Sequence, residues 1–125
     1  AADTIVCIDN KILEKPIDKN DAFNMLTLLS GCTHKVYTGV SILSKKINLN
    51  FTEKTEVTFF DLSESEIKSY IKNNPPYDKS GSYGIQDESL FFVKKIKGSY
   101  ENVIGLPISK IYRLLLELKV VNDYK

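Results

Sequence analysis

Residues 4–8 read TIVCI, a β-branched and continuously apolar run with no charge in it. Such a run is expected of a strand covered on both faces. DNK then turns the chain, and ILEKP leads outward. KNDAFNMLTLLSG reads as a helix, because Ala22, Met25, Leu26 and Leu29 recur at helical spacing. Asp18 or Asn20 can cap its start, and Gly31 stands where a left-handed residue closes a helix. HKVYTGVSIL (34–43) is a strand with Val36, Thr38, Val40 and Ile42 on one face, and EKTEVTFFDL (53–62) is another. LSESEIKSYIKNNPP carries a capping box, Ser63 with Glu66, ahead of Ile67, Tyr70 and Ile71 on one face, and Pro75-Pro76 ends it. LFFVKKIKG (90–98) reads as a strand. GLPISKIYRLLLELK gives a helix with Pro107 near its first turn and Ile108, Ile111, Leu115 and Leu118 in a stripe. Strands and helices mix throughout, so the expected class is α/β.

The 125 residues suit one domain, 1–125, with neither an internal repeat nor a low-complexity tail. A net charge of +1 sets up no global field for nucleic acid or an anionic membrane, and Arg113 is the one arginine. The seven tyrosines lack the basic interleaving of a nucleic-acid platform. Cys7 and Cys32 belong to no metal-type cluster, and Cys7, inside the apolar run, reads as a buried reduced thiol. No apolar stretch reaches membrane-spanning length and nothing resembles a secretory signal, so a cytoplasmic protein with neither membrane nor nucleic acid as partner is expected. The chain has no initiator Met and enters a strand within three residues, as a fragment or a processed product would.

Several residues carry chemistry in one reading and none in another. Asp3 precedes the first strand, where a carboxylate can hold a metal or take a proton from water. It is equally a solvated acid at a strand end, and the residue types alone favour that reading. Lys15 is restricted to extended geometry by Pro16, which suits a fixed phosphate contact, although most lysines are simply solvated. In YDKSGSYGIQ (77–86), Gly81 and Gly84 permit close backbone approach to a ligand, Lys79 adds charge, Asp78 can bind a metal or orient Lys79, and Gln86 can read a base edge by paired hydrogen bonds. The competing reading is a Gly/Ser-rich surface turn. GSYENVIGLP (98–107) is a second loop ending at a helix N-terminus, an anion site or a place where Asn102 satisfies buried backbone. His34, the single histidine, follows a helix C-terminus and is read as structural, bonding orphan carbonyls there.

Taken in order, ADTIV (2–6), KP (15–16), LSGCTHKVYTGV (29–40), DKSGSYGIQ (78–86) and GSYENVIGLP (98–107) resemble the Maf (septum-formation-like) nucleotide pyrophosphatases across essentially the whole chain. The resemblance implies a twisted mixed sheet flanked by helices in two lobes, related to the inosine-triphosphatase fold, with the active site between the lobes. It also implies a metal-dependent hydrolase that uses Mg²⁺ or Mn²⁺, cleaves a nucleoside triphosphate to monophosphate and pyrophosphate, removes modified or surplus nucleotides, and is often a homodimer. By the same resemblance Asp3 is the general base and a metal ligand, and Thr4 contributes to base selectivity. Lys15, Asp78 and Lys79 contact the phosphate and metal region, and Gln86 discriminates the base. Thr4 with Gln86 resembles the subgroup acting on dTTP and UTP, whereas the 7-methyl-GTP subgroup has Glu at the latter position.

Two departures stand out. Glu14 precedes Lys15 where the family has Gly, which sets an acidic group beside a phosphate contact. The Ser-rich, paired-arginine motif of the family is not in this sequence, which begins where the family is about a third complete. The resemblance therefore implies a chain that is inactive or severely impaired alone. A non-catalytic nucleotide-binding or dimerising module is the alternative from a different class, and an inosine-triphosphate-type purine preference is the alternative within the same one.

Overall fold

A computed structural model describes residues 2–43, 45, 48–84, 87–98 and 108–117. Its elements are β1 (Ala2–Ile8), β2 (Lys11–Leu13), α1 (Lys19–Leu29), β3 (Thr33–Leu43), β4 (Asn48–Phe59), α2 (Glu64–Asn73), β5 (Val93–Lys97) and α3 (Ile108–Glu117). Short 3-10 turns occupy Ser80–Ser82 and Glu88–Phe92. The five strands form one sheet in the order β2-β1-β3-β4-β5, and every pairing among the described residues is antiparallel. The fold is α/β, as expected.

β1 and β2 form a hairpin because Asp9 and Asn10 both take positive φ, 48° and 63°, the geometry of a two-residue turn whose twist matches the flanking strands. ILEKP therefore does not simply lead outward: Lys11–Leu13 pairs with Ile8–Val6. β3 and β4 form a hairpin paired from Thr33↔Thr58 to Leu43↔Asn48. β4 thus begins five residues before the expected start. The segment from Asn48 to Thr52 has weak strand propensity and is held by pairing with β3, a case of context outweighing composition. β5 begins at Val93 rather than Leu90, because Asp87 caps a 3-10 turn by accepting the Ser89 N–H.

Both expected helix starts are present. Asp18 accepts the Asp21 N–H at 2.8 Å, and Ser63 and Glu66 form the complete capping box. Gly31 follows α1 at φ +66°. α1 buries Ala22, Met25, Leu26 and Leu29, and α2 buries Ile67, Tyr70 and Ile71. These close over Val6, Ile8, Val36, Val57 and Phe59 on one face of the sheet. In β3 the buried face is His34, Val36, Thr38 and Val40, in step with the alternation read from sequence.

Among the described residues the sheet is covered on one face, which corrects the expectation for TIVCI. Ile5 and Cys7 point to the opposite face and are half-buried, and Cys7 is a free thiol opposite Lys35 rather than a core residue. α3 meets the sheet farther along the hairpin: Lys110 pairs with Glu53 at 2.7 Å and lies over the Phe51 ring. Alternation places Phe51 and Glu53 on the same face of β4 as Thr55 and Val57, the face that α1 and α2 cover. In α3, Ile111 and Leu115 are half-buried, while Pro107 and Leu118 lie outside the described residues. No helix among the described residues is long and apolar enough to cross a membrane.

Candidate functional site

Of the segment singled out in sequence, residues 77–84 are described, and they are anchored at a fork. β2 pairs with β1 only from Val6 to Ile8. Where the strands part, Ser80 stands between them: the Val6 N–H donates to Ser80 Oγ at 3.0 Å, and Ser80 Oγ donates a short hydrogen bond to the Leu13 carbonyl. The Gly81 N–H then donates to the Glu14 carbonyl at 3.2 Å. Gly81 takes φ +73° and lies so close to β1 that a Cβ there would sit 3.0 Å from the Val6 side chain. Both the left-handed backbone and the close approach require glycine. Ser82 follows at φ +71°, buried, donating to Met25 Sδ.

This anchoring brings three of the expected residues together. Lys79 Nζ donates to Asp78 Oδ1 at 3.2 Å, and that bond, with the charge of Lys79 and a further contribution from Lys15, holds the Asp78 carboxyl below its ordinary range. Lys79 is shaped by Gly84, since a Cβ at position 84 would fall 2.6 Å from Lys79 Cε. The lysine stem therefore lies along the glycine, a second reason for the paired small residues. Two ammonium groups and one exposed carboxylate sit beyond the β1–β2 fork, an arrangement able to hold a phosphate by point charge.

Thr4 lies on the same strand with its hydroxyl 2.8 Å from that of Thr38, its register partner on β3. Asp3, one residue earlier, points to the opposite face of the sheet and is exposed. It faces an open hollow of about 520 Å³ lined also by Gly39, Ser41, Asn50, Phe51 and Thr52, and Gly39, its register partner, leaves clear space above it. The structure thus gathers Lys15, Asp78 and Lys79, and sets Thr4 and Asp3 on different sides of β1. No hydrogen bond or ion pair joins Asp3 to the lysines among the described residues. Gln86 and residues 99–107 lie outside them.

Two supporting groups were not legible in sequence. Tyr70 of α2, 2% exposed, donates to Asp87 Oδ2 at 2.8 Å and accepts the Gly84 N–H at 3.3 Å. Burial, with the bond to Asp87, raises its phenol above the ordinary range. Ser89 Oγ donates to the Gly84 carbonyl, which also accepts the Asp87 N–H, so the chain is tied on both sides of positions 85 and 86. Beneath it His34, 1% exposed, shares a 2.6 Å hydrogen bond with Tyr83, and both rings pack edge-on against Phe59. Burial lowers the His34 pKa to about 4 and raises that of Tyr83. His34 is structural, but its bonded partner is a phenol and not a helix carbonyl, because it lies within β3 with its ring in the core. A tyrosine among glycines gives no local hint of such a partner.

The chain matches the family model described as Maf-like protein over residues 1–118. It belongs to the Maf-like family. A Bacillus cereus relative named dTTP/UTP pyrophosphatase is 49% identical over 119 residues, covering 95% of this chain and 62% of the relative. A Bacillus anthracis protein of the same name is 50% identical over the same shares, and one from Bacillus cytotoxicus is 54% identical over 114 residues, 91% of this chain and 60% of the relative. The chain therefore spans a little under two thirds of the length of these relatives.

A divalent metal is implied for Maf-like proteins, and the donor set can be tested against it. Among the described residues no three His, Cys, Asp or Glu side chains gather as a metal site. Mg²⁺ is commonly held by one or two carboxylates together with water and substrate phosphates, all oxygen donors. Asp3, exposed and beside the Ser41 and Asn50 side chains, fits one place in such a shell.

Proposed function

We propose that this Maf-like chain belongs to a nucleoside triphosphate pyrophosphatase acting on dTTP and UTP, releasing the monophosphate and pyrophosphate. The observation that carries the reading is the Asp78–Lys79 pair held at the β1–β2 fork, where the Gly81 N–H bonds to the Glu14 carbonyl next to Lys15, in a chain about half identical to proteins named dTTP/UTP pyrophosphatase. Lys15 and Lys79 bind phosphate oxygens, and Asp78 keeps Lys79 in place. The backbone from Ser80 to Gly84, pinned to both strands, presents the lysines at a fixed spacing, which positioning catalysis requires. Thr4 and Gln86 contact the base, where an amide and a hydroxyl can match imide and carbonyl groups.

Asp3 takes the proton from the attacking water and supplies one carboxylate to Mg²⁺ or Mn²⁺. Such a cation, when bound, neutralises charge on phosphate oxygens and lowers the pKa of a coordinated water. Along the strand Asp3 lies about 10 Å from the Ser80 anchor at Val6, at roughly 3.3 Å per residue. With one carboxylate for the cation and Glu14 beside Lys15, the 125-residue chain by itself is expected to turn over slowly. A homodimer working in the cytoplasm belongs to the same proposal.

The second reading, a nucleotide-binding module without catalysis, is favoured by one observation: Asp3 faces away from Thr4 across β1. Pyrophosphate release with Mg²⁺ from dTTP, UTP, CTP, 7-methyl-GTP and ITP, with the Bacillus cereus relative run in parallel, separates the two. Release from dTTP and UTP above the others supports the enzyme. Nucleotide binding without release supports the module, and the absence of both overturns each. Light scattering during gel filtration tests the dimer.

A further inference from the structure

Across the covered face of the sheet, one row of cross-strand partners is polar where its neighbours are largely apolar. Thr4 on β1 stands opposite Thr38 on β3, and Thr38 stands opposite Glu53 on β4. The next row toward the α1 side holds Val6, Val36 and Thr55, and the next row away from it holds Ala2, Val40 and Phe51. Thr38 is fully buried, its hydroxyl is 2.8 Å from that of Thr4, and Glu53 is ion-paired with Lys110 at 2.7 Å. A hydroxyl has one hydrogen to give, whereas an ionised carboxylate can only accept. Direct cross-strand partners have Cβ atoms about 5 Å apart, which sets the Glu53 carboxylate within reach of the Thr38 hydroxyl. A Thr38 hydroxyl that gives its hydrogen to Glu53 takes that of Thr4, and Thr4, half-buried on β1, is then left presenting lone pairs.

We propose that Thr38, backed by Glu53, is a positioning residue that fixes Thr4 as a hydrogen-bond acceptor for an imide N–H. This inference rests on the reading of Thr4 as a base contact. Uracil and thymine carry an N–H at ring position 3. Cytosine carries a lone pair there, which an acceptor repels. The row therefore selects UTP and dTTP against CTP, by the polarity of one hydroxyl rather than by the shape of a pocket. β-branching restricts where each hydroxyl oxygen of the row stands, and the Glu53 carboxylate sets which way the hydrogens run.

The test is calorimetric binding of UTP and of CTP, with Mg²⁺, to the 125-residue chain and its variants, each checked by thermal melting. Thr38→Val removes the relay and is expected to narrow the UTP/CTP affinity ratio about tenfold, the equivalent of one lost hydrogen bond. Glu53→Gln, which can donate as well as accept, is expected to narrow it too, and it carries the test if Thr38→Val does not fold. Thr38→Ser keeps the hydroxyl and should keep the ratio. An unchanged ratio in folded Thr38→Val, or in Glu53→Gln should the first not fold, overturns the relay while leaving the pyrophosphatase reading intact. Failure of the unaltered chain to bind either nucleotide overturns the reading of the site, and the relay with it.

Discussion

Ser80→Ala tests whether the fork between β1 and β2 depends on a single hydroxyl. The oxygen accepts from the Val6 N–H at 3.0 Å and donates to the Leu13 carbonyl, so its removal leaves a backbone donor and a backbone acceptor unmatched between two strands. A hydrogen bond contributes about 1 kcal/mol net, and a buried group left unmet costs about 1–3 kcal/mol. Ser80 is half-buried, so water can reach part of the gap. The expected loss is therefore about 2–3 kcal/mol. With a urea slope of about 1.5 kcal/mol/M, the unfolding midpoint should fall by about 1.3–2 M. The loss should also be local. The Val6 amide should exchange with solvent faster than its neighbours on the β3 side of the strand, and phosphate-bearing ligands should bind more weakly as Lys79 loses its mooring. A midpoint within about 0.2 M of the parent, or a Val6 amide as protected as before, would refute the idea that this side chain holds the fork.

Tyr70→Phe removes a bond to a carboxylate and leaves the Gly84 N–H unmet, so thermal unfolding should report a loss of about 1.5–3 kcal/mol. A loss below about 0.5 kcal/mol would show that the tie around positions 85 and 86 is held elsewhere. His34 has its pKa lowered to about 4 from an ordinary 6.5. The unfolded chain thus binds the extra proton first, and the stability His34 contributes is complete above pH 6.5 and lost as pH falls toward 4, by about 3 kcal/mol in all. His34→Gln should flatten that part of the urea-stability profile, and an equally steep profile would place the cause in other groups. Lys79→Ala should let the Asp78 carboxyl rise toward its ordinary range, visible in an NMR titration of the Asp78 side chain. In any preparation that releases pyrophosphate from dTTP, Asp3→Asn and chelation of divalent cations should each abolish release, and release persisting in the variant would remove Asp3 from the role of base.

The parts of the fold that sequence made legible are those decided within one helical turn or one strand. The caps at Asp18 and Ser63, the buried stripes of α1 and α2, and the inward face from Val36 to Val40 all follow from local chemistry or from periodicity. What escaped depends on the partner across the gap. β2 is a strand because Asp9 and Asn10 turn it back on β1, and β4 begins at Asn48 because Leu43 stands opposite. The continuous apolar run of β1 suggested two covered faces, yet Ile5 and Cys7 are only half-buried, on the face that no described helix covers. The site divides in the same way. Lys15, Asp78 and Lys79 were legible as candidates from their dipeptides and glycines. Ser80, Thr38, Tyr70 and Tyr83 matter through Val6, Thr4, Asp87 and His34, between 17 and 74 residues away in sequence. No local pattern encodes such distances.

The order β2-β1-β3-β4-β5 also bears on how this chain behaves at high concentration. The strands most prone to recruit a neighbour, the β-branched β1 and β3, are interior to the sheet. Among the described residues, one margin of the sheet is three residues long, and the other, VKKIK, exposes Lys94, Lys95 and Lys97. An incoming strand from another molecule would have to bring its own backbone against a row of like charges. Neutralising these lysines should cost the monomer little and yet favour fibrous association, so the outermost strand guards colloidal stability more than it contributes to the core.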